Sequence, residues 1–387
     1  MKYLRFYMLG FCHICADSLV LMFLSLYLKS RAIGEVKIGG LFGVYHAMLP
    51  LVVLGIGLLT DRASCRSLIT VGSLIAAVYC GIFPSLNRTG LMGLIIGVGG
   101  IGLTLAFISL NVLFLKTIVE EKRGKYLSLF IASMSTGYAV GSMVGSLLIR
   151  EFHLPPQIVF YVALGLHLIC FILALGLPEA PIERFPLIKY FHDMKRIPVL
   201  CLAIIAFSLG IHWGAESYGI VRYMNDVLSV SGIQMAVFFF GIGIALAGFS
   251  RVAGYVIDHH RGFVKYLVFG LLLSGVMQGL TGLSRTYLEF FLVRVLHTCG
   301  DGFIICSVTI LVSLAFPAGR MGGNYGFNRT MNSLGSVIGG PLSGFLVARY
   351  LSLGTPFLVT CLFQIIAAGF IWVLGSHLPL SESVRNK

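Results

Sequence analysis

Long apolar runs recur along the whole chain, separated by short polar stretches, and none of them alternates apolar with polar positions. A run of ~20 apolar residues crosses a hydrocarbon core about 30 Å thick as a helix. Backbone groups in lipid must pair internally, which leaves helices or closed barrels. Barrel strands would be ~10 residues long and would alternate. The pattern therefore predicts twelve membrane-spanning helices, at 4–28, 38–60, 67–86, 90–115, 126–149, 157–177, 198–222, 232–256, 264–284, 287–315, 324–349 and 355–377. The connections are short except for Pro178 to Pro198, which carries Pro181, Arg184, Pro186, Lys189, Lys195 and Arg196. That segment divides the chain into an N-terminal six-helix bundle (1–177), an inter-bundle loop (178–197) and a C-terminal six-helix bundle (198–387).

Composition agrees with lipid as the main solvent. The 387 residues are 57% hydrophobic and only 11% charged, against about 25% charged in a soluble domain. The net charge of +13 raises the question of a nucleic-acid partner. Its placement in short loops argues for topology control instead, and no nucleic acid is expected. Nineteen Lys and Arg, Arg329 among them, fall on the face bearing both termini, against eight on the other. By the positive-inside rule, both termini and the central loop are expected in the cytoplasm, as in a multi-pass protein of a bacterial-type plasma or inner membrane. The nine cysteines lie almost all within apolar runs and show no disulfide framework. The first run is too long for a signal-peptide core and has no small-residue cleavage site after it.

The two halves repeat each other at a spacing of 197–199 residues. Gly57-x-x-x-Asp61-Arg62 recurs as Gly254-x-x-x-Asp258-His259, and Arg123 as Arg320. Gly137, Gly141 and Gly145 match Gly335, Gly340 and Gly344. The sharpest match sets His13-x-x-Ala16-Asp17-Ser18 against His212-x-x-Ala215-Glu216-Ser217. Chance similarity of apolar sequence would not align polar residues in this way.

These residues carry a resemblance. The run Gly57-Leu58-Leu59-Thr60-Asp61-Arg62-Ala63-Ser64-Cys65-Arg66 resembles the signature loop between the second and third helices of the major facilitator superfamily. Ser64 stands where that signature has glycine, and Cys65 where it has arginine. With span count and repeat, the resemblance covers the whole chain. It implies two pseudo-symmetric bundles around a central cavity lined by spans one, four, seven and ten, with transport by rocking of the halves around a midplane site. Gly57, Asp61 and Arg62, with Gly254 and Asp258, would then form conformational loop motifs, since an acid at a helix end can bind across to a neighbouring span and release. The alternative is plain topology-determining charge. Span five resembles the antiporter signature, with Ser142 in place of its proline, which leans towards export.

Buried ionisable residues carry the candidate chemistry, because an acid at a helix centre costs about 2.5–3.5 kcal/mol to insert and marks ion paths. Three acids lie well inside spans: Asp17, Glu216 and Asp301. His13 and Asp17 share a helix face at i, i+4, as do His212 and Glu216, and Arg294, His297 and Asp301 form one stripe in span ten. Structural ion pairing is the competing reading, above all for Glu216 with Arg294. Span four has no basic residue before Lys116, so it offers Asp17 no cation of the kind Arg294 offers Glu216. His13, Asp17, His212, Glu216, Arg294, His297 and Asp301 are thus the candidates for proton coupling and the substrate cavity. Cys12-His13-Ile14-Cys15 raises a metal reading. A transported metal would use His13, Asp17, His212 and Glu216 as ligands, but no resident metal or cofactor is expected. His46, His167 and Gln278 are expected to bond between helices.

No phosphate-cradling loop and no soluble catalytic domain is present, so an enzyme and an ATP-driven pump are both set aside. The sequence reading is a monomeric secondary transporter of a small solute, proton-coupled, with a lean to export. A cation facilitator using the same cluster is the alternative, followed by a non-transporting receptor. A receptor would add a long loop or tail, and the chain shows neither.

Overall fold

The computed structural model describes residues 3–118, 123–180, 182, 186–259, 263–316 and 320–375. Within these, twelve long helices run through the chain with one short helix between the sixth and the seventh. They are α1 (Leu4–Ser30), α2 (Glu35–Thr60), α3 (Cys65–Ile82), α4 (Thr89–Thr117), α5 (Arg123–Ser146), α6 (Ile158–Leu175), the short α7 (Leu187–Met194), α8 (Ile197–Arg222), α9 (Gly232–His259), α10 (Phe263–Thr281), α11 (Tyr287–Ala315), α12 (Met321–Tyr350) and α13 (Thr355–Leu374). Eleven of them are long and apolar enough to cross a membrane among the described residues, and α2, at 26 residues, is the twelfth long helix. Their bounds fall within a few residues of the spans read from the apolar runs. The chain is an all-α multi-pass membrane protein. Its exposed residues include Leu94, Ile172, Phe345, Trp372 and Val373, apolar surface that water would not tolerate on this scale and lipid does.

Some helix ends are written locally. Ser64 caps α3 by accepting from the Ser67 N–H, and Thr286 with Glu289 forms a capping box at the start of α11. Two π-helical turns, Leu147–Glu151 and Tyr223–Val227, extend α5 and α8. An Arg150 guanidinium N–H donates to Asn225 Oδ1 across these two turns.

The packing repeats with the sequence. In the first half α1 packs on α5 and α6, α3 on α4 and α6, and α2 on α4. In the second half α8 packs on α12 and α13, α10 on α11 and α13, and α9 on α11. The halves meet mainly along two seams, α2 with α12 and α5 with α9, which exchange under the same pseudo-twofold relation.

Small residues set how closely these helices approach. A Cβ on Gly57 would lie 2.7 Å from the Gly326 Cα of α12, so the seam closes backbone to backbone. Gly57→Val is expected to force α2 and α12 apart and lower the melting temperature of the purified protein by several degrees. Unchanged melting would show that the seam tolerates a side chain there. The repeat match for span eleven needs correcting by one residue. Gly335 and Gly339 are the positions that press on α8, with a Cβ on either about 3 Å or less from the Ile211 backbone, whereas one on Gly340 or Gly344 would meet nothing closer than 3.9 and 3.7 Å. A step of four keeps glycines on one helix face; a step of five rotates them away from it.

Candidate functional site

The first site is a buried polar cluster inside the second half, built by α8, α10 and α11. One carboxylate oxygen of Glu216 (Oε1) takes the Arg294 Nη1 at 2.5 Å, His212 Nε2 at 3.1 Å and His297 Nε2 at 3.6 Å. The two imidazoles stack at 4.8 Å with their planes 8° apart, and their Nε2 atoms are 2.9 Å from each other. Ser274 of α10 donates its hydroxyl to Asp301 Oδ1 at 2.6 Å and stands 3.1 Å from His297 Nε2. The Arg294 guanidinium also donates to Gln278 Oε1 at 3.0 Å. His212 and His297 are fully buried and Arg294 is 4% exposed. The residues Asp301, Ser274, His297 and His212 are thus joined by hydrogen-bonding contacts, and His212 lies at ion-pair distance from Glu216, which makes a row of polar groups between two acids. Ser274 has no counterpart in the sequence reading, because a serine on an apolar helix carries no signal until its neighbours are known. Gln278 bonds between helices as expected.

His212, Glu216 and His297 can bring one ligand atom each within 4.8 Å of one another, enough to surround a cation. Arg294, at ion-pair distance from the same carboxylate, opposes that by charge repulsion. His13 and Asp17, the other half of the sequence-level ligand set, are not part of this group.

His13 and Asp17 instead line a separate cavity of about 140 Å³ at the seam, with Ile14, Val53, Leu103, Thr104, Phe107, Ile108, Arg329 and Ser333. Helices α1 and α4, two of the spans expected to line a central cavity, contribute together with α2 and α12, while α8 and α11 turn polar groups towards each other and α10. The His13 ring stacks on Phe107 at 6.0 Å and meets His167 edge-on at 5.7 Å. His167 finds no hydrogen-bond partner among the described residues, contrary to the expectation that it would bond between helices. Arg329 is also corrected: counted with the loop charges, it lies within α12 with its guanidinium 5.1 Å from the Phe107 ring centre. Asp17 has a partner of its own within the protein, so the lack of a basic residue in span four does not leave it alone.

The second site is on the face carrying the chain ends. Asp61, just past α2, is fully buried and reaches the N-terminus of α12. Its carboxylate accepts the N–H groups of Gly322 and Gly323 at 3.1 and 2.8 Å, pairs with Lys116 of α4 at 2.7 Å and accepts the Tyr190 hydroxyl at 3.3 Å. A helix N-terminus favours an anion through its free N–H groups and its dipole. Short α7 braces the same end. Asp193 takes Arg320 at 2.7 and 3.0 Å and Asn324 at 3.0 Å. Burial pushes the Asp193 carboxyl upward, but these hydrogen bonds and the charges of Arg320 and Arg196 outweigh it and hold it below the usual range. Burial, then the Asp61 charge, pushes the Tyr190 hydroxyl up to about 12, so it remains a donor.

The matching seam of α5 with α9 makes its close approach at another place, where a Cβ on Gly243 would lie 2.8 Å from the Ala139 Cα. A Cβ on Gly254 would have 3.5 Å of room, and Arg251 bonds Ser128 at 2.8 Å. The side chains of Asp258 and His46 lie outside the described residues. Arg62 is exposed.

Twelve long helices in two interlocking sextets, with a small cavity and a buried ion-pair network, define a helical membrane transporter of the two-bundle type. A family model described as Major Facilitator Superfamily matches residues 6–265 and 249–386, and the chain belongs to that family. Among curated proteins it is similar to the multidrug resistance protein MdtG of Rahnella sp. (strain Y9602), 22% identical over 93% of this chain and 90% of that one. It is also similar to the MdtG of Serratia proteamaculans (strain 568), 22% identical over 68% of this chain and 65% of the relative's length, just under two thirds. A shorter match, 23% identical over 33% of this chain and 30% of the other, is to the hexuronate transporter of Bacillus subtilis (strain 168). Among solved structures, the human organic anion transporter MFSD10 (TETRAN) shares the fold, with a TM-score of 0.76 at 16% identity over 98% of this chain and 99% of that one.

Proposed function

We propose that this chain is a proton-coupled secondary transporter of a small organic solute, working by alternating access, with the face bearing both termini in the cytoplasm. The observation that carries the coupling is the chain Asp301–Ser274–His297–His212–Glu216, with successive contacts of 2.6, 3.1, 2.9 and 3.1 Å. Each imidazole meets the row through Nε2 alone, which holds either a proton or a lone pair and serves one neighbour at a time. A proton would therefore pass by successive hops, Asp301 losing one to Ser274 as Ser274 gives one to His297, and His297 and then His212 handing it on until Glu216 has gained it. Such a row inside a membrane bundle is what a proton relay requires. A switch of the Glu216–Arg294 pair between held and released states would connect it to movement of the helices.

The Asp61 contacts supply the proposed latch. They join the first half to α12 of the second and hold the cytoplasmic face shut. Rocking the halves apart would break the carboxylate away from the α12 N-terminus. Export is the direction favoured here, supported by the name multidrug resistance protein carried by two relatives.

The decisive measurement is proton flux in liposomes of purified protein, read by a trapped pH dye while a solute gradient is imposed. Coupled transport predicts solute-dependent pH change; its absence for every solute that binds would sink the coupling. Asp17→Asn separates roles in the seam cavity. If Asp17 handles protons, driven transport falls more than tenfold while solute counterflow survives; if it is a ligand, binding itself is lost.

A further inference from the structure

The α12 residues facing the seam are unequal in what they bond. Asn328 and Asn332 turn back to their own half, donating to the carbonyls of Leu202 and Ala206 at 3.2 and 3.1 Å. Arg329 and Ser333, four residues apart on another face of the helix, line the cavity shared with the first half. Arg329 sits about two turns inside a membrane helix, where an arginine is costly without an acceptor. Among the described residues its guanidinium makes no hydrogen bond or ion pair; it lies over the face of Phe107 at 5.1 Å. Asp17, the acid in the same cavity, has an interaction of its own. A planar fork of five donors, supported by an aromatic face and left without an acceptor, is the arrangement that takes a carboxylate or phosphonate.

The rest of the lining is consistent with such a guest. Thr104 and Ser333 offer hydroxyls, and His13 Nδ1 is a buried ring nitrogen with no hydrogen-bond partner among the described residues. Ile14, Val53, Leu103 and Ile108 supply an apolar wall. At about 140 Å³ the space suits a compact molecule. The structure assigns this cavity to a small organic anion, and we propose that Arg329 receives its acidic group while Phe107 packs against both. This rests on the transporter reading and names its substrate class.

The test pairs acids with their neutral amides on the purified full-length protein: benzoate with benzamide, glucuronate with glucuronamide, and phenylphosphonate alone, with tetraphenylphosphonium as the cationic control. Binding is read by thermal shift and calorimetry. At least one acid is expected to raise the melting temperature where its amide and the cation do not. Arg329→Gln is expected to weaken that acid by roughly ten- to hundredfold, the range for a lost charge-assisted bond, and Arg329→Lys by less. Equal response to acid and amide, no response to any acid, or full acid affinity in Arg329→Gln would each overturn the assignment. The acid–amide comparison uses the natural protein, so a variant that fails to fold leaves the proposal falsifiable. Acid binding that depends on Arg329 without proton flux in liposomes would sink the coupling and leave the anion site. Proton flux driven by a cation or neutral solute would do the reverse.

Discussion

Asp61→Asn is expected to loosen the face carrying the chain ends, with the 320–326 peptide exchanging its amide hydrogens more than tenfold faster than in the natural protein. The Asp61 carboxylate accepts from two backbone N–H groups of α12 and pairs with Lys116. An asparagine keeps one acceptor and turns an NH2 towards a donor. It also leaves Lys116, 8% exposed, as a buried cation without its acid. Breaking a buried pair from one side costs about 3–5 kcal/mol, far more than a surface bridge at about 0–1. The melting temperature should fall with the exchange protection. Asp61→Asn with Lys116→Met removes both charges and should recover part of the stability, though not the hold on Gly322 and Gly323. Natural exchange rates in Asp61→Asn would show that the α2–α12 glycine contact closes this face without help from charge.

Glu216→Gln is expected to abolish proton-driven transport in liposomes while leaving solute exchange. The glutamine cannot take up a proton, so the row from Asp301 loses its far end. The substitution also strands Arg294, and the resulting instability is a competing explanation for any loss. The double variant Glu216→Gln with Arg294→Gln separates the two. It removes the stranded charge, so a purely structural pair predicts that proton-driven transport returns with the fold. A relay predicts that the fold returns and the coupling does not. His297→Phe in the same assay interrupts the row while keeping both Glu216 and Arg294, and full coupling in that variant would remove His297 from the path.

Most of the fold was legible because a membrane span announces itself. Lipid demands about twenty apolar residues in succession and internal backbone pairing, so Ile158–Leu175 and Tyr287–Ala315 are visible without any neighbour. The pairing of His212 with Glu216 was also within reach from their i, i+4 spacing on one helix, and that of Glu216 with Arg294 from the resemblance, which makes spans seven and ten neighbours. Ser274 and Arg329 were not. Ser274 matters only because α10 delivers it between His297 and Asp301, and helix rotation about its own axis leaves no mark in so uniformly apolar a run. Arg329 lies near a span end, where a charge ordinarily belongs to a loop; α12 simply begins earlier, at Met321, and carries it inward. The Gly340 and Gly344 match failed for a related reason, because a one-residue slip in a glycine-rich helix changes the contacting face.

The sequence by itself determined the number of spans, their lengths, the twofold repeat and the identity of the buried acids, since each depends on the cost of placing given groups in lipid. The tertiary structure alone decided which of those groups meet. Asp61 reaches the α12 N-terminus beside Gly57, whereas the α5–α9 seam closes at Gly243 and leaves 3.5 Å at Gly254. Glu216 gathers Arg294 and two histidines, while Asp17 faces a cavity entered by Arg329 from the opposite half. Those outcomes depend on helix rotation and tilt at the seams, which are set by the packing of small residues over hundreds of contacts and by no local rule.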